Sequence, residues 1–353
     1  MRKLRLLSIL LAIVAAMAMK AQDRVAVVKK GDANSLLEAI QTANQQNADT
    51  TSERFFILIP DGLYDLGEKV LTTISGHNIS LVGQSMGGTI IRNAPPKEKE
   101  GISKTATLLN RSTGLYLQDM TIQNALDYYH AGAGGRAVTL HDKGTRTICN
   151  RVRMLSYQDT YYTDREDGLS YLYNTEIHGT VDFICGAGDA YFDHCTLVTE
   201  PRSLDGSGRN VIAAPRTSQT QWGYIFDNCL VYNRTSPFHY ARGWHTSPRC
   251  VWLHTILMSP EKLMETRFDP RGMRTVQSYF KEFHTMDASG KDVTPKTNVI
   301  TFTLKEEKNT VETILTGKEA KCYQPKKIFP DWRPEKIMRK LACKAEQLKK
   351  QYL

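Results

Sequence analysis

The sequence predicts an all-β protein, a single-stranded right-handed parallel β-helix with a short N-terminal helix and a C-terminal amphipathic helix. Short strands rich in Ile, Val, Leu and Phe recur along the chain, and the absence of helical runs between them excludes a doubly wound sheet. From residue 115 a repeat unit appears, with central polar residues Asp119, Asn150, Asn174, His194, Asn228 and His254. Their spacings of 31, 24, 20, 34 and 26 residues are typical of solenoid coils.

Residues 1–21 are predicted to be a signal peptide. Arg2 and Arg5 begin a cationic segment, an apolar run covers 6–19, and small residues Ala18 and Ala21 offer cleavage sites. This run is shorter than the roughly 20 residues that a membrane span requires, and no later apolar run is long enough. We therefore expect a secreted or periplasmic protein without a membrane span.

The remaining chain is predicted to contain a catalytic β-helix domain at 22–333 and a packed helix at 334–353. Near the start, Asn34 or Ser35 is expected to cap a helix, and Ser35 with Glu38 matches a capping box. Apolar residues recur every three or four positions in the last segment, which is typical of an amphipathic helix. Early strands are predicted at 55–59, 79–82 and 89–91.

Charge is unevenly distributed along the chain. The formal net charge of +9 falls to +5 without residues 1–21, and the last 28 residues hold nine Lys/Arg against three Asp/Glu. The main body is thus nearly neutral, which argues against a nucleic-acid partner. We interpret the C-terminal lysines as a solvated face, and we expect a monomer.

The cysteine count also limits the class of protein. Seven cysteines without a CxxC pair exclude a zinc ribbon. Buried free thiols are favoured, and some disulfide pairing stays open for an exported protein.

Two acidic residues lie in otherwise apolar and aromatic segments. Asp159 and Asp182 are 23 residues apart, about one coil, so a parallel β-helix would place them side by side. Paired carboxylates in different surroundings are a common means of separating an acid from a nucleophile. Arg242, from a later coil, is the candidate cation that keeps one of them ionised.

At these motifs the chain resembles the pectin methylesterases, over roughly residues 25–260. The family's Gln-Asp-Thr motif appears at 158–160, its Gly-Thr-Val-Asp-Phe-Ile-Phe-Gly motif at 179–186 with one change, and its Leu-Gly-Arg-Pro-Trp motif loosely at 240–244. Weaker family marks are 62–64 and 213–217. The resemblance implies a carboxylic ester hydrolase that demethylates the homogalacturonan of pectin, with no metal and no cofactor.

The resemblance also implies a role for each matching residue. Asp182 would attack the methyl-ester carbonyl as nucleophile, and Asp159 would act first as general acid and then as base. Gln158 would donate to the oxyanion, and Arg242 would orient Asp182. The aromatic residues expected to line the sugar-binding cleft are Tyr162 and Trp244.

Three positions depart from the family pattern. Arg136 stands where the family has a second oxyanion Gln, and its charge would favour ionised Asp159. It is expected either to bind substrate or the oxyanion in the cleft, or to turn to solvent or pair with a loop acid. Cys185 replaces a cleft-lining Phe, and Gly243 replaces a Pro. Two alternatives follow, a catalytically impaired pectin-binding protein and an esterase for a different sugar ester. A calcium-dependent lyase is disfavoured because the motif coils lack an acidic cluster.

Overall fold

The computed structural model describes residues 24–96, 101–131, 135–217, 222–244, 247–273 and 279–353, so the predicted signal peptide lies outside the described residues. The described chain winds into three parallel sheets around one axis, which confirms the predicted β-helix. No helix in these ranges is long and apolar enough to cross a membrane.

Most coils contribute one strand to each of three sheets. The first sheet contains β1 (Val25–Val27), β2 (Phe55–Ile59), β5 (Ile79–Gly83), the first half of β8 (Tyr116–Asn124) and of β10 (Thr147–Leu155), β12 (Leu169–Tyr173), β15 (Asp189–Asp193), β18 (Tyr224–Asp227), β21 (Arg249–Leu253) and β24 (Tyr279–Phe283). The second sheet contains β3 (Gly62–Asp65), β6 (Thr89–Asn93), the second halves of β8 and β10, β13 (Glu176–Gly179), β16 (Thr196–Thr199), β19 (Leu230–Asn233), β22 (Ile256–Leu257) and β25 (Met286–Asp287). The third sheet contains β4 (Thr72–Ile74), β7 (Leu108–Asn110), β9 (Leu140–Asp142), β11 (Tyr161–Thr163), β14 (Val181–Gly186), β17 (Asn210–Pro215), β20 (Phe238–Arg242) and β23 (Phe268–Asp269).

The corner between the first and second sheets explains the polar repeat. In each of the seven coils from β8 onward, one non-glycine residue has a left-handed backbone there, with φ between 47° and 55°. Asn, Asp and His tolerate this conformation better than other side chains, so they recur at the turn. The seven corner residues are Asp119, Arg151, Asn174, His194, Asn228, His254 and His284. The prediction of Asn150 as a central residue was wrong by one position, because the bend falls on Arg151 while Asn150 is a buried residue of β10.

The interior is filled by side chains that stack from coil to coil. Phe192 stacks on Phe226 with ring centroids 4.4 Å apart, Phe226 on Trp252 at 4.0 Å, and Trp252 on Tyr240 at 4.3 Å. All seven cysteines are free; five are buried, and two are exposed, at positions 322 and 343. This continuous apolar column is the core that holds the sheets in register.

A helix covers the N-terminal end of this core. Helix α1 (Ala33–Gln46) packs against β2, β3 and β4 through a face that includes Leu36 and Ile40. Its N-cap is Asp32, whose side chain accepts a hydrogen bond from the Ser35 amide at 3.1 Å. The predicted cap at Asn34 or Ser35 was therefore wrong, because the Ser35 hydroxyl instead accepts from the backbone amide of Lys29.

The C-terminal segments close the other end and cover one face. An antiparallel hairpin, β26 (Val299–Leu304) with β27 (Glu307–Glu312), adds Ile300 and Phe302 to the core. Three helices follow: α2 (Gly317–Ala320), α3 (Pro325–Ile328) and α4 (Pro334–Tyr352). The buried face of α4 packs on the outer side of the first sheet, and its buried apolar side chains are Met338, Leu341, Ala345 and Leu348.

Candidate active site

Strand register in the third sheet brings the two acidic motifs together. Tyr161 of β11 pairs with Ile184 of β14, an offset of 23 residues, so Asp159 lies beside Asp182 on the next coil. Both residues have left-handed backbones, with φ of 60° and 53°, which Asp tolerates better than most side chains. Both are more than nine-tenths buried.

Arg242 reaches Asp182 from β20 by crossing the intervening strand. Its Nε donates to Asp182 Oδ1 at 2.8 Å and its Nη2 donates to Oδ2 at 2.5 Å. Strand β17 lies between them and presents the small residue Ala214 on this face, beside Cys185, which leaves room for the long side chain. The result is a two-pronged Arg–carboxylate contact that fixes both the charge and the orientation of Asp182.

The Asp pair opens into a cleft of about 450 Å³. Gln158 and Arg136 form one wall, where their backbones make an isolated parallel bridge. Arg136 Nε lies 3.8 Å from Asp159 Oδ2, and the Arg136 side chain is 42% exposed. The other lining residues are Gly101, Ile102, Ser103, Cys185, Arg242 and Trp244.

The electrostatic surroundings of the two carboxylates differ. Burial and the adjacent charge of Asp182 raise the pKa of Asp159 to about 8, although Arg136 and Arg242 act in the opposite direction. The expected effect of Arg136 on Asp159 is thus present, but burial outweighs it. Cys185 Sγ lies 3.8 Å from Asp159 Oδ1, and burial raises the pKa of this thiol well above its ordinary value. Asp159 is therefore protonated near neutral pH, while Asp182 faces a fixed cation.

The two predicted aromatic residues have different positions. Trp244 lines the cleft, whereas Tyr162 is 6% exposed and lies behind it. The Tyr162 ring stacks on His141 with centroids 4.5 Å apart and lies 6.1 Å from the Trp244 ring. Tyr162 thus supports Trp244 from behind and is not among the residues that line the cleft.

Arg216 is a site residue to which sequence analysis gave no role. Its guanidinium lies 5.8 Å from the centre of the Trp244 ring and forms ion pairs of 2.6 Å with Asp164 and Glu166. Asp164 also accepts from His141 at 3.1 Å. The sequence showed only an Arg directly after the strand of small residues at 213–215. Its aromatic partner, Trp244, is distant in sequence, so the contact could not be inferred. This network holds the indole at the rim of the cleft.

Within the described ranges, no group of three or more His, Cys, Asp or Glu residues is arranged to hold a metal ion. Fold and site together define a parallel β-helix protein with a buried pair of carboxyl groups on the outer face of one sheet. A sequence model of the Pectinesterase family matches residues 24–286, most of the chain. The chain belongs to the pectinesterase family.

The individual relatives have low sequence identity to this chain. Probable pectinesterase 49 from Arabidopsis thaliana is 28% identical over 247 residues, which are 69% of this chain and 65% of that protein. The chain thus spans less than two thirds of the length of this relative.

Solved structures share the fold. Pectin methylesterase PemA from Erwinia chrysanthemi superposes with a TM-score of 0.67 at 23% identity, covering 88% of this chain and 98% of that one. The pectin methylesterase from carrot gives 0.66 at 20% identity, with coverages of 87% and 92%. At these identities the likeness concerns the fold alone.

Proposed function

We propose that this protein hydrolyses the methyl esters of galacturonan, releasing methanol and leaving a free carboxylate on the polymer. The observation that carries this proposal is one cleft that holds an arginine-bound carboxylate, Asp182, beside a carboxyl group, Asp159, whose pKa is raised to about 8. A nucleophile must be ionised and a general acid must be protonated at the same pH; the ion pair with Arg242 supports the first role for Asp182, and the raised pKa of Asp159 supports the second.

The reaction would proceed in two halves. An oxygen of Asp182 attacks the ester carbonyl, and the oxyanion that forms accepts hydrogen bonds from Gln158 and Arg136. The carbon–oxygen bond to the methoxy group then breaks, and Asp159 gives its proton to the departing methanol. An acyl-enzyme, an anhydride between Asp182 and the sugar carboxyl, remains.

Asp159 is now ionised and can act as a base. It takes one proton from water while the water oxygen attacks the acyl carbon, which breaks the bond to Asp182 and releases the sugar carboxylic acid; this acid loses its remaining proton to solvent. Both carboxyl groups return to their starting protonation states, so the cycle needs no other reactant. Trp244, supported by Tyr162 and Arg216, supplies an apolar wall for a sugar ring.

Arg136 has two possible tasks, which kinetics can separate. As an oxyanion donor it acts mainly in the transition state, so Arg136→Ala lowers kcat with little change in KM. As a clamp on a substrate carboxylate it acts in the ground state too, so the variant raises KM, most on sparsely methylated pectin. This second penalty shrinks at high salt, because ions screen the exposed guanidinium.

The test is methanol release from methyl-esterified pectin, measured together with polymer length. Methanol without shortening supports esterase action, and shortening without methanol contradicts it. Asp182→Asn should abolish release, whereas Asp287→Asn, at the end of β25 and outside the residues that line the cleft, should not. No methanol from the wild-type protein, with retention of the polymer, would instead indicate the impaired pectin-binding protein.

The proposed function also includes a cellular location for the protein. The polymer substrate lies outside the cytoplasm, so we propose export directed by residues 1–21. Replacing apolar residues of that segment with charged ones should leave the protein inside the cell, and unchanged export would contradict this part.

A further inference from the structure

The chain beyond the hairpin forms a basic covering on the first sheet. This C-terminal layer, residues 316–353, contains α2, α3 and α4 and lies outside the family-matched segment. It holds eleven Lys/Arg against four Asp/Glu, a net charge of +7. Residues 22–315 have a net charge of −2, so the positive charge of the chain after residue 21 is concentrated in one layer.

All cations of this layer except Lys349 are exposed to solvent. On α4 they occupy the side opposite the buried apolar face, and Lys336, Lys340 and Lys344 are exposed and four residues apart. Four residues of an α-helix span about 6 Å along its axis, so neighbouring lysines in this row are about that far apart. Among the described residues, Lys349 is the one lysine of the layer that pairs with a carboxylate; it contacts Asp119 and Glu346.

A sequence selected only for helix stability would place opposite charges four residues apart. Like charges at i and i+4 destabilise a helix by roughly 0.2–0.5 kcal/mol a pair, and this row contains two such pairs. Of the four acidic residues of the layer, Glu319 is engaged in the capping box of Thr316, and Glu346 pairs with Arg151 and Lys349. The exposed face is thus left strongly positive.

We propose that the C-terminal layer is a docking face for de-esterified homogalacturonan, separate from the catalytic cleft. This inference rests on the proposed function, because that reaction converts neutral methyl esters into a polymer of carboxylates. A row of cations attracts a polyanion over its whole length and releases its counterions. The layer covers the first sheet and the cleft opens on the third, so both can be occupied at once.

An anionic membrane is the other surface that a basic helix can bind. Such helices insert an apolar face among lipid chains. The apolar face of α4 is buried against the first sheet, so it cannot insert while the protein is folded. The structure therefore favours the soluble polymer.

The test compares two triple variants of the whole protein. Lys336→Gln, Lys340→Gln and Lys344→Gln together remove the row, and Gln keeps the helix propensity close to that of Lys. The matched control, Lys29→Gln, Lys30→Gln and Lys296→Gln, removes the same charge from exposed positions outside the layer. Circular dichroism checks that both fold. Binding to fully de-esterified polygalacturonate is measured over a range of salt concentrations, and methanol release is measured on short methylated oligomers.

We expect the row variant to bind polygalacturonate about tenfold more weakly at low salt, with the difference shrinking as salt rises. The control should bind like the wild type, and all three proteins should release methanol at equal rates. Equal binding by both variants overturns the inference, as does tighter binding of the wild type to phosphatidylglycerol vesicles. Binding that depends on the lysine row, without methanol release by the wild type, would support the docking face and contradict the proposed reaction.

Discussion

Replacing Arg136 by Gln should extend ester hydrolysis to higher pH. Asp159 must be protonated to act as general acid, so activity is present below its pKa and is lost as pH rises through about 8. Arg136 stabilises the ionised carboxylate, because its Nε lies 3.8 Å from Asp159 Oδ2. Removing this cation makes ionisation harder, so the pKa of Asp159 and the alkaline limb of the activity profile both move upward.

The separation of the two groups gives the size of this effect. Two unit charges at this distance interact by about 1 kcal/mol in water and by more in a protein interior. The Arg136 side chain is 42% exposed but that of Asp159 is only 6% exposed, so the value for water is a lower bound. An energy of about 1 kcal/mol corresponds to roughly 0.7 pH units in the midpoint of the alkaline limb.

The assay is the initial rate of methanol release from methylated oligogalacturonide, from neutral to alkaline pH. A blank without enzyme removes the contribution of spontaneous ester hydrolysis. Lys262→Gln is the control, since it removes one partly exposed charge outside the residues that line the cleft. An unchanged or lowered midpoint in Arg136→Gln would show that the guanidinium does not act on Asp159.

Three further substitutions test the rest of the site. Asp182→Asn should lower turnover by roughly a thousandfold or more, because an amide is a poor nucleophile, while the melting temperature stays near that of the wild type; near-native turnover would exclude Asp182 as nucleophile. Arg242→Lys keeps the charge but loses the two-pronged contact, so kcat should fall by about a hundredfold, and a fall only in Arg242→Ala would show that charge alone suffices. Trp244→Ala should raise KM roughly tenfold with a smaller change in kcat, and the reverse pattern would contradict its role as a sugar-binding wall.

The coil repeat and the Asp pair could be predicted from the sequence for the same reason. A solenoid repeats one backbone turn, and that turn selects Asn, Asp or His in most coils, so the pattern is visible along the chain. In one coil the turn residue is Arg151, and an arginine in the sequence does not indicate a left-handed backbone. The 23-residue offset between Asp159 and Asp182 follows from the length of one coil, which the register of β11 and β14 reproduces.

Contacts that span several coils could not be predicted in the same way. The reach of Arg242 depends on Ala214 being small on the strand between, a condition that is unremarkable in the sequence. The support of Trp244 by Arg216 depends on packing at the outer face of the sheet. Tyr162 shows the limit most clearly, since an aromatic residue beside a motif does not reveal whether it lines a cleft or supports its wall.

The closed ends of the solenoid have a consequence for its solution behaviour. A stack of parallel coils exposes unpaired backbone amides and carbonyls at its first and last turns, and such edges can template the addition of another chain. Helix α1 lies across one end, and the hairpin of β26 and β27, with Ile300 and Phe302 facing the core, lies across the other. These two caps cover the edges at which another chain could pair. They therefore prevent end-to-end association of the solenoids into fibres.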